Sequence, residues 1–280
     1  YFYVIVKERC DDKIYLNYSK KEIVDTIDQI EHELIREAMR KAGVTRGVEI
    51  VTLSDIPSEG SGLGSSSAVL VGLLNALYVF RGRQQPASVL AKEAAEIEIE
   101  ILKKPIGYQD HYAAAFGGLN LIKFLRSGVT EVHPITVPID RLRALSSRLL
   151  LFYTGITRSA STILSAQQKE MGDHTSHYLR MRDQAHIAAD ELTQGRIHAL
   201  GELLHEGWTM KRELSASISN PEIDAMYEAG RQAGALGGKL LGAGGGGFLL
   251  LYTPLEAQNA VRDALRHYRE MPVRLEPDGS

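Results

Sequence analysis

Residues 59–68 read EGSGLGSSSA. Gly60, Gly62 and Gly64 carry no side chain, so the backbone there can take positive φ and approach a bound group closely. Ser65, Ser66 and Ser67 add hydroxyls directly ahead of an apolar run, AVLVGLLNALYVF. A helix starting there offers unpaired N–H groups and the positive end of its dipole to an anion. Successive loop amides, Leu63 included, can form an anion nest. Two readings stay open: a phosphate cradle, or an ordinary glycine-rich helix cap. The common phosphate loop is excluded, because it needs G-x-x-x-x-G-K-[ST] and no lysine lies between Lys41 and Lys92. The glycine spacing is not G-x-G-x-x-G, and a G-x-S-x-G nucleophile elbow is missing too.

Two kinds of carboxylate could serve such a cradle. Asp110, in PIGYQDHYAAAFGG, reads either as a helix N-cap or as a base that orients or deprotonates a hydroxyl. Glu96, Glu98 and Glu100 punctuate one expected helix. At about 100° per residue, Glu98 falls nearest the apolar stripe of Leu90, Ala94, Ile97 and Ile101. It is the one placed to point inward and hold Mg²⁺; a solvated surface position is the other reading.

A second glycine run, Gly242 and Gly244, Gly245, Gly246 and Gly247, separates two apolar segments. A hairpin needs one or two glycines, so close approach to a ligand or another loop is the better reading. Uncharged, the run can shape a site and cannot catalyse. Arg158 and Lys7 are cations available to a substrate phosphate, or to solvent. The histidines show no H-E-x-x-H spacing, and His174 and His177 have no evident third ligand. Trp208 with Leu203, Leu204 and Leu214 reads as helix core.

The elements that must position these residues follow from periodicity and turn signals. Strands are predicted over 1–8, 13–18 and 47–56, with a helix over 24–42 ending at Gly43. A helix to about Phe80 follows the loop, then one over 86–103 and a short one from Asp110 to Gly117. A strand pair is expected at 119–124 and 131–137, and a strand at 148–155. Helices over 158–170, 174–193, 196–215 and 221–234 come next. Two short apolar runs then flank the glycines, and a helix over 254–268 and a strand over 272–276 close the chain. Mixed hairpins and helices predict an α+β fold, with domains at 1–145 and 146–280.

Composition bounds the function. With 280 residues, 44% apolar and 24% charged, the chain has the profile of a soluble globular protein. A net charge of −3 gives no basic footprint for nucleic acid or an anionic membrane. The apolar run over 68–80 is too short to span a bilayer. The single cysteine, Cys10, builds no internal disulfide and predicts a reducing, cytoplasmic setting. The opening YFYVIVKER reads as a strand entered midway, with no signal peptide.

PSEGSGLGSSSA, GYQDHYAAAFGG and KLLGAGGGGF, in that order, resemble the three regions shared by the GHMP small-molecule kinases. The resemblance covers nearly all of the chain. Within the family, EIEIEILKKPIGYQD, FGGLNLIKF and LLLFYTGITRSAS are similar to the sugar-1-kinase branch that acts on heptose 7-phosphate. The resemblance implies a ribosomal-S5-like N-terminal domain and a ferredoxin-like C-terminal domain. It implies ATP and Mg²⁺ as cofactors and a small sugar phosphate as substrate, in a monomer or homodimer. Residues 60 and 62–67 would wrap the ATP phosphates, with Ser66 and Glu98 at the metal. Asp110 would position or deprotonate the attacking hydroxyl, and Gly244–Gly247 would pack on the phosphate loop and border the substrate. Fucose-, galactose- or mevalonate-type kinases and a non-catalytic relative are the alternatives. The family's first motif, which helps build the sugar pocket, has no match in residues 1–21. It is expected ahead of Tyr1, or to have been lost.

Overall fold

The computed structural model describes residues 1–56, 61–158, 162–165, 167 and 171–280. Contacts group the chain into two compact units. The first is Tyr1–Glu59, Gly64–Gly117 and Asp278–Ser280; the second is Gly60–Leu63 and Gly118–Pro277. The division falls at Gly117/Gly118, earlier than the 145/146 boundary read from sequence. The reason is packing: Leu119, Ile135 and Ala144 sit on a cluster of Leu145, Leu149, Leu192, Ile197 and Tyr252, which draws the segment 118–145 into the second unit.

The first unit holds a mixed sheet. Its strands are β1 (Phe2–Glu8), β2 (Ile14–Asn17), β3 (Lys21–Val24) and β4 (Val48–Ser54), in the order β1-β4-β2-β3. β4 runs antiparallel to β1, with Tyr3 opposite Leu53, and parallel to β2, with Leu16 opposite Ile50. Strand alternation turns Ile14, Leu16, Val48 and Ile50 to one fully buried face. The helices are α1 (Glu33–Ala42), α2 (Ser65–Phe80), α3 (Ala87–Ala95) and α4 (Gln109–Phe116). α2 packs on β1 and against α1, α3 and α4. It is apolar almost all round, as a central helix must be.

Helical periodicity over 24–42 is only partly realised. Residues 21–24 form β3 on β2, a 3₁₀ turn spans Ile27–Gln29 behind a Thr26 capping box, and α1 begins at Glu33. Glu22 explains the difference. Its buried carboxylate accepts from the Tyr18 hydroxyl at 2.7 Å and from the N–H groups of Glu31 and His32 at 2.7 and 3.3 Å. Those bonds close residues 18–32 into a folded-back loop that apolar spacing does not register. The helix expected over 86–103 also changes character: it is α-helical to Ala95 and π-helical over Glu96–Ile101.

The second unit opens with the hairpin β5 (Asn120–Phe124) and β6 (Thr130–Pro134) and the helix α5 (Ile139–Ser146), which periodicity did not predict. Then follow β7 (Leu149–Tyr153), α6 (Thr175–Thr193), α7 (Ala199–Glu213) and α8 (Pro221–Gln232), with β8 (Gly237–Leu240), β9 (Phe248–Tyr252), α9 (Gln258–Ala264) and β10 (Arg269–Met271) after them. Of the helix expected over 158–170, residues 162–165 and 167 are helical and the rest of 159–170 lies outside the described residues. The last strand lies at 269–271, ahead of the 272–276 predicted.

The sheet order is β10-β7-β9-β8, all antiparallel. Counted within this sheet, that is 4-1-3-2, the ferredoxin-like arrangement of a β-α-β-β-α-β chain. Trp208, Tyr227, Phe152, Leu249 and Leu251 are buried in its core. The α+β class expected from sequence is the observed one. Among the described residues no helix is long and apolar enough to cross a membrane.

Candidate active site

The serines of EGSGLGSSSA open α2. Gly64 precedes them at φ +68°, and its carbonyl accepts the first helical bond, from Ala68 N–H at 2.9 Å. Ser65 and Ser67 are buried and Ser66 half-buried. No acidic residue lies within the first turn of α2 itself, and a helix N-terminus attracts an anion. Gly64 faces Asp110. A β-carbon at Gly64 would lie 3.2 Å from both Cβ and Cγ of Asp110 and 3.4 Å from Oδ2. Asp110 is the second residue of α4, whose N-cap is Tyr108, so the capping reading does not hold. Its exposed carboxylate stands beside the loop residue that launches α2.

Glu98 is 3% exposed. Of the three glutamates, Glu96 pairs with Lys41 at 2.7 Å and Glu100 is exposed, so the inward position is the one periodicity ranked first. The backbone reason differs, since Glu98 sits on the π-helical turn Glu96–Ile101. Such turns re-aim side chains and recur at functional sites. Glu98 Oε2 accepts from Ser67 Oγ at 3.3 Å and meets His111 Nε2 at 2.8 Å. The hydroxyl bonded to Glu98 is thus that of Ser67; among the described residues Ser66 makes no bond to it. No described residue donates to Oε1 of Glu98.

In the second unit, Ser61 Oγ accepts from Leu63 N–H at 3.3 Å, and between them Gly62 sits at φ +72°. A β-carbon on Gly62 would lie 2.6 Å from the Leu241 carbonyl oxygen, and one on Gly242 would lie 2.5 Å from Gly62 Cα. The two glycine segments therefore touch, backbone on backbone, through Gly62 and Gly242. Lys211 Nζ donates to the Gly242 carbonyl at 2.5 Å. Gly60 lies outside the described residues.

Gly244–Gly247 are buried and serve a different contact. Thr154 N–H donates to the Gly247 carbonyl at 2.9 Å, Gly247 N–H to Ile156 at 2.8 Å and Gly245 N–H to Ile218 at 2.8 Å. A β-carbon on Gly246 would lie 2.5 Å from the Ile156 carbonyl oxygen, and one on Gly245 would lie 3.4 Å from Cγ of Arg158. This lacing fixes residues 154–158 and seats exposed Arg158 beside the run. Lys7, the other cation considered, pairs with Glu49 at 3.3 Å.

Among the described residues no group of three or more His, Cys, Asp or Glu is arranged to hold a metal ion. Mg²⁺ does not require one, because it is commonly held by one or two carboxylates together with substrate phosphates. A buried carboxylate with one oxygen unclaimed, next to a helix N-terminus carrying hydroxyls, fits that donor set. A cavity of about 490 Å³ on α6 and α7, lined by His177, Arg180, His205, Glu206 and Glu213 among others, contains none of the loop, carboxylate or glycine-run residues singled out from sequence. Sequence reasoning missed His111 and Lys211. The first directly follows Asp110 and was open to inspection; nothing in spacing signals the second.

The geometry sets a glycine-launched, hydroxyl-lined helix start beside the carboxylates of Asp110 and Glu98, and comparison supplies the class. Residues 30–118 match the model of the GHMP kinases N terminal domain and residues 188–270 that of the GHMP kinases C terminal. The chain is 31% identical, over 94% of its length and 78% of the relative's, to D-glycero-alpha-D-manno-heptose 7-phosphate kinase of Campylobacter jejuni. The chain belongs to the GHMP kinase family and is an enzyme of that family. A mevalonate kinase of Thermococcus sibiricus is 27% identical over 94% of this chain and 76% of its own. Among solved structures, a D-glycero-D-manno-heptose 1-phosphate kinase from Bacteroides thetaiotaomicron superposes with a TM-score of 0.79 at 25% identity, covering 99% of this chain and 85% of that one.

Proposed function

We propose that this enzyme transfers the γ-phosphoryl group of ATP to the anomeric hydroxyl of a sugar phosphate, D-glycero-D-manno-heptose 7-phosphate, giving the 1,7-bisphosphate. One observation carries the reading: the Asp110 carboxylate stands against Gly64, where the glycine-serine loop becomes α2. Phosphoryl transfer asks for positioning and charge neutralisation more than covalent chemistry. The N–H groups at the start of α2 and those of Gly62 and Gly64 would hold phosphate oxygens. Asp110 accepts the hydroxyl proton as the sugar oxygen bonds to the γ-phosphorus and the bond to the β-phosphate oxygen breaks. Ser66 and Glu98 would hold Mg²⁺, which when bound neutralises phosphate charge.

The name of the Campylobacter relative favours a heptose phosphate, while the mevalonate kinase in the same family keeps another alcohol as the second reading. A non-catalytic binding protein is the third, and the placement of Asp110 and Glu98 speaks against it. ATP as substrate and the lone thiol of Cys10 suit the cytoplasm. The test is a screen for ADP release with Mg²⁺-ATP against heptose 7-phosphate, heptose 1-phosphate, fucose, galactose and mevalonate. Release confined to heptose 7-phosphate is expected. Turnover of another acceptor alone replaces the substrate, and no turnover of any acceptor favours the binding protein.

A further inference from the structure

We infer that His111 is a positioning residue: it fixes the Glu98 carboxylate and through it the divalent cation, a role that stands only if Glu98 holds that cation as proposed above. His111 follows Asp110 on α4, yet its side chain is fully buried. Its Nε2 lies 2.8 Å from Glu98 Oε2. A carboxylate that holds a cation only accepts, so in the role proposed for Glu98 the His111 Nε2 is the donor. Ser67 Oγ, on the first turn of α2, donates to the same oxygen at 3.3 Å. Two donors from two helices thus bind one oxygen, and no described residue donates to the other.

Nδ1 of His111 is buried with no hydrogen-bond partner among the described residues. A buried polar atom without a partner is costly, and an aliphatic side chain would fill this site without that cost. The contact that justifies a histidine here is therefore the one to Glu98. Groups that hydrogen-bond a metal ligand from behind fix its orientation, and their loss commonly lowers metal affinity about 10- to 100-fold. One short helix then carries two duties on adjacent residues. Asp110 faces Gly64, and His111 faces Glu98.

The test measures the affinity of the whole chain for a fluorescent ATP analogue, once with Mn²⁺ and once in EDTA, and takes the ratio. This reads metal linkage without turnover. Glu98→Gln is expected to lose the Mn²⁺ enhancement. His111→Leu should lose about 10- to 100-fold of it with affinity in EDTA unchanged, and should add nothing in the Glu98→Gln background. His111→Gln, which can place a donor near Nε2, should retain most of it. If Glu98→Gln loses the enhancement and His111→Leu keeps it, the role of His111 is overturned while that of Glu98 stands. If Glu98→Gln keeps the enhancement, both fall. Equal loss in folded Gln and Leu variants also overturns the donor role. If His111→Leu does not fold, His111→Asn replaces it, being polar but too short to reach Oε2; equal enhancement in the Asn and Gln variants overturns the inference.

Discussion

Gly64 and Asp110 are in contact across the start of α2: a β-carbon on the glycine would come within 3.2 Å of the aspartate's Cβ and Cγ. The glycine is also held at φ +68°, where an alanine costs about 1–2 kcal/mol. Gly64→Ala should therefore lower stability by about that amount and push Asp110 aside by a few tenths of an ångström. Turnover should fall by about an order of magnitude or more, because displaced reactive groups lose rate steeply. Urea melts and steady-state kinetics check the two halves.

Asp110→Asn keeps the shape and removes the base. Turnover should drop by about 10²–10⁴-fold, with nucleotide affinity and melting temperature near those of the wild type. Near-normal turnover would remove Asp110 from the role proposed for it.

Ser66→Ala should raise the Mg²⁺ concentration needed for half-maximal activity while leaving stability within about 0.5 kcal/mol, as at most half-exposed sites. An unchanged Mg²⁺ requirement would take Ser66 out of the metal site proposed for it.

The backbone contact between Gly62 and Gly242 admits no β-carbon on either side. Gly128 is the control, since it sits at φ +82° with nothing within 4 Å of an added carbon. Gly128→Ala should cost about 1–2 kcal/mol, the conformational term alone. Gly242→Ala should cost clearly more and weaken nucleotide binding, because Leu241 and Gly62 must part. Equal melting temperatures for the two variants would show that the contact is unimportant.

Glu22 makes stability depend on pH. Burial pushes its carboxyl up, but the hydrogen bonds from Tyr18, Glu31 and His32 outweigh that and hold it below the usual carboxylate range. A depressed folded value stabilises the protein above the unfolded value, about 4.3 for glutamate, and the contribution is lost as pH falls from there. Wild type should exceed Glu22→Gln by about 1–3 kcal/mol at pH 7, and the gap should close in acid. A gap independent of pH would show that the charge is not what matters.

The fold class and the main polar residues were legible because their signals are local. Glycines and serines ahead of an apolar run mark a helix start, and the stripe through Ala94 and Ile101 singles out Glu98. What stayed hidden depends on partners distant in sequence. β3 and the late start of α1 follow from Glu22 reaching Glu31 and His32. The π turn at Glu96–Ile101 has no periodic signature of its own, and it leaves Glu98 where it accepts from Ser67 and His111. The glycine run was read as approaching a ligand or another loop, and its parts divide: Gly242 meets Gly62 of the glycine-serine loop, while Gly244–Gly247 meet residues 154–158 and 217–218.

The contact of Gly62 with Leu241 and Gly242 also bears on the order in which the chain folds. α2 can form from neighbouring residues, but the loop ahead of it is shaped by a segment from the far end of the sequence. Contacts of such long separation close slowly. A refolding chain should regain its helical signal first and its affinity for nucleotide later, with the loop set only once the hairpin of β8 and β9 has closed.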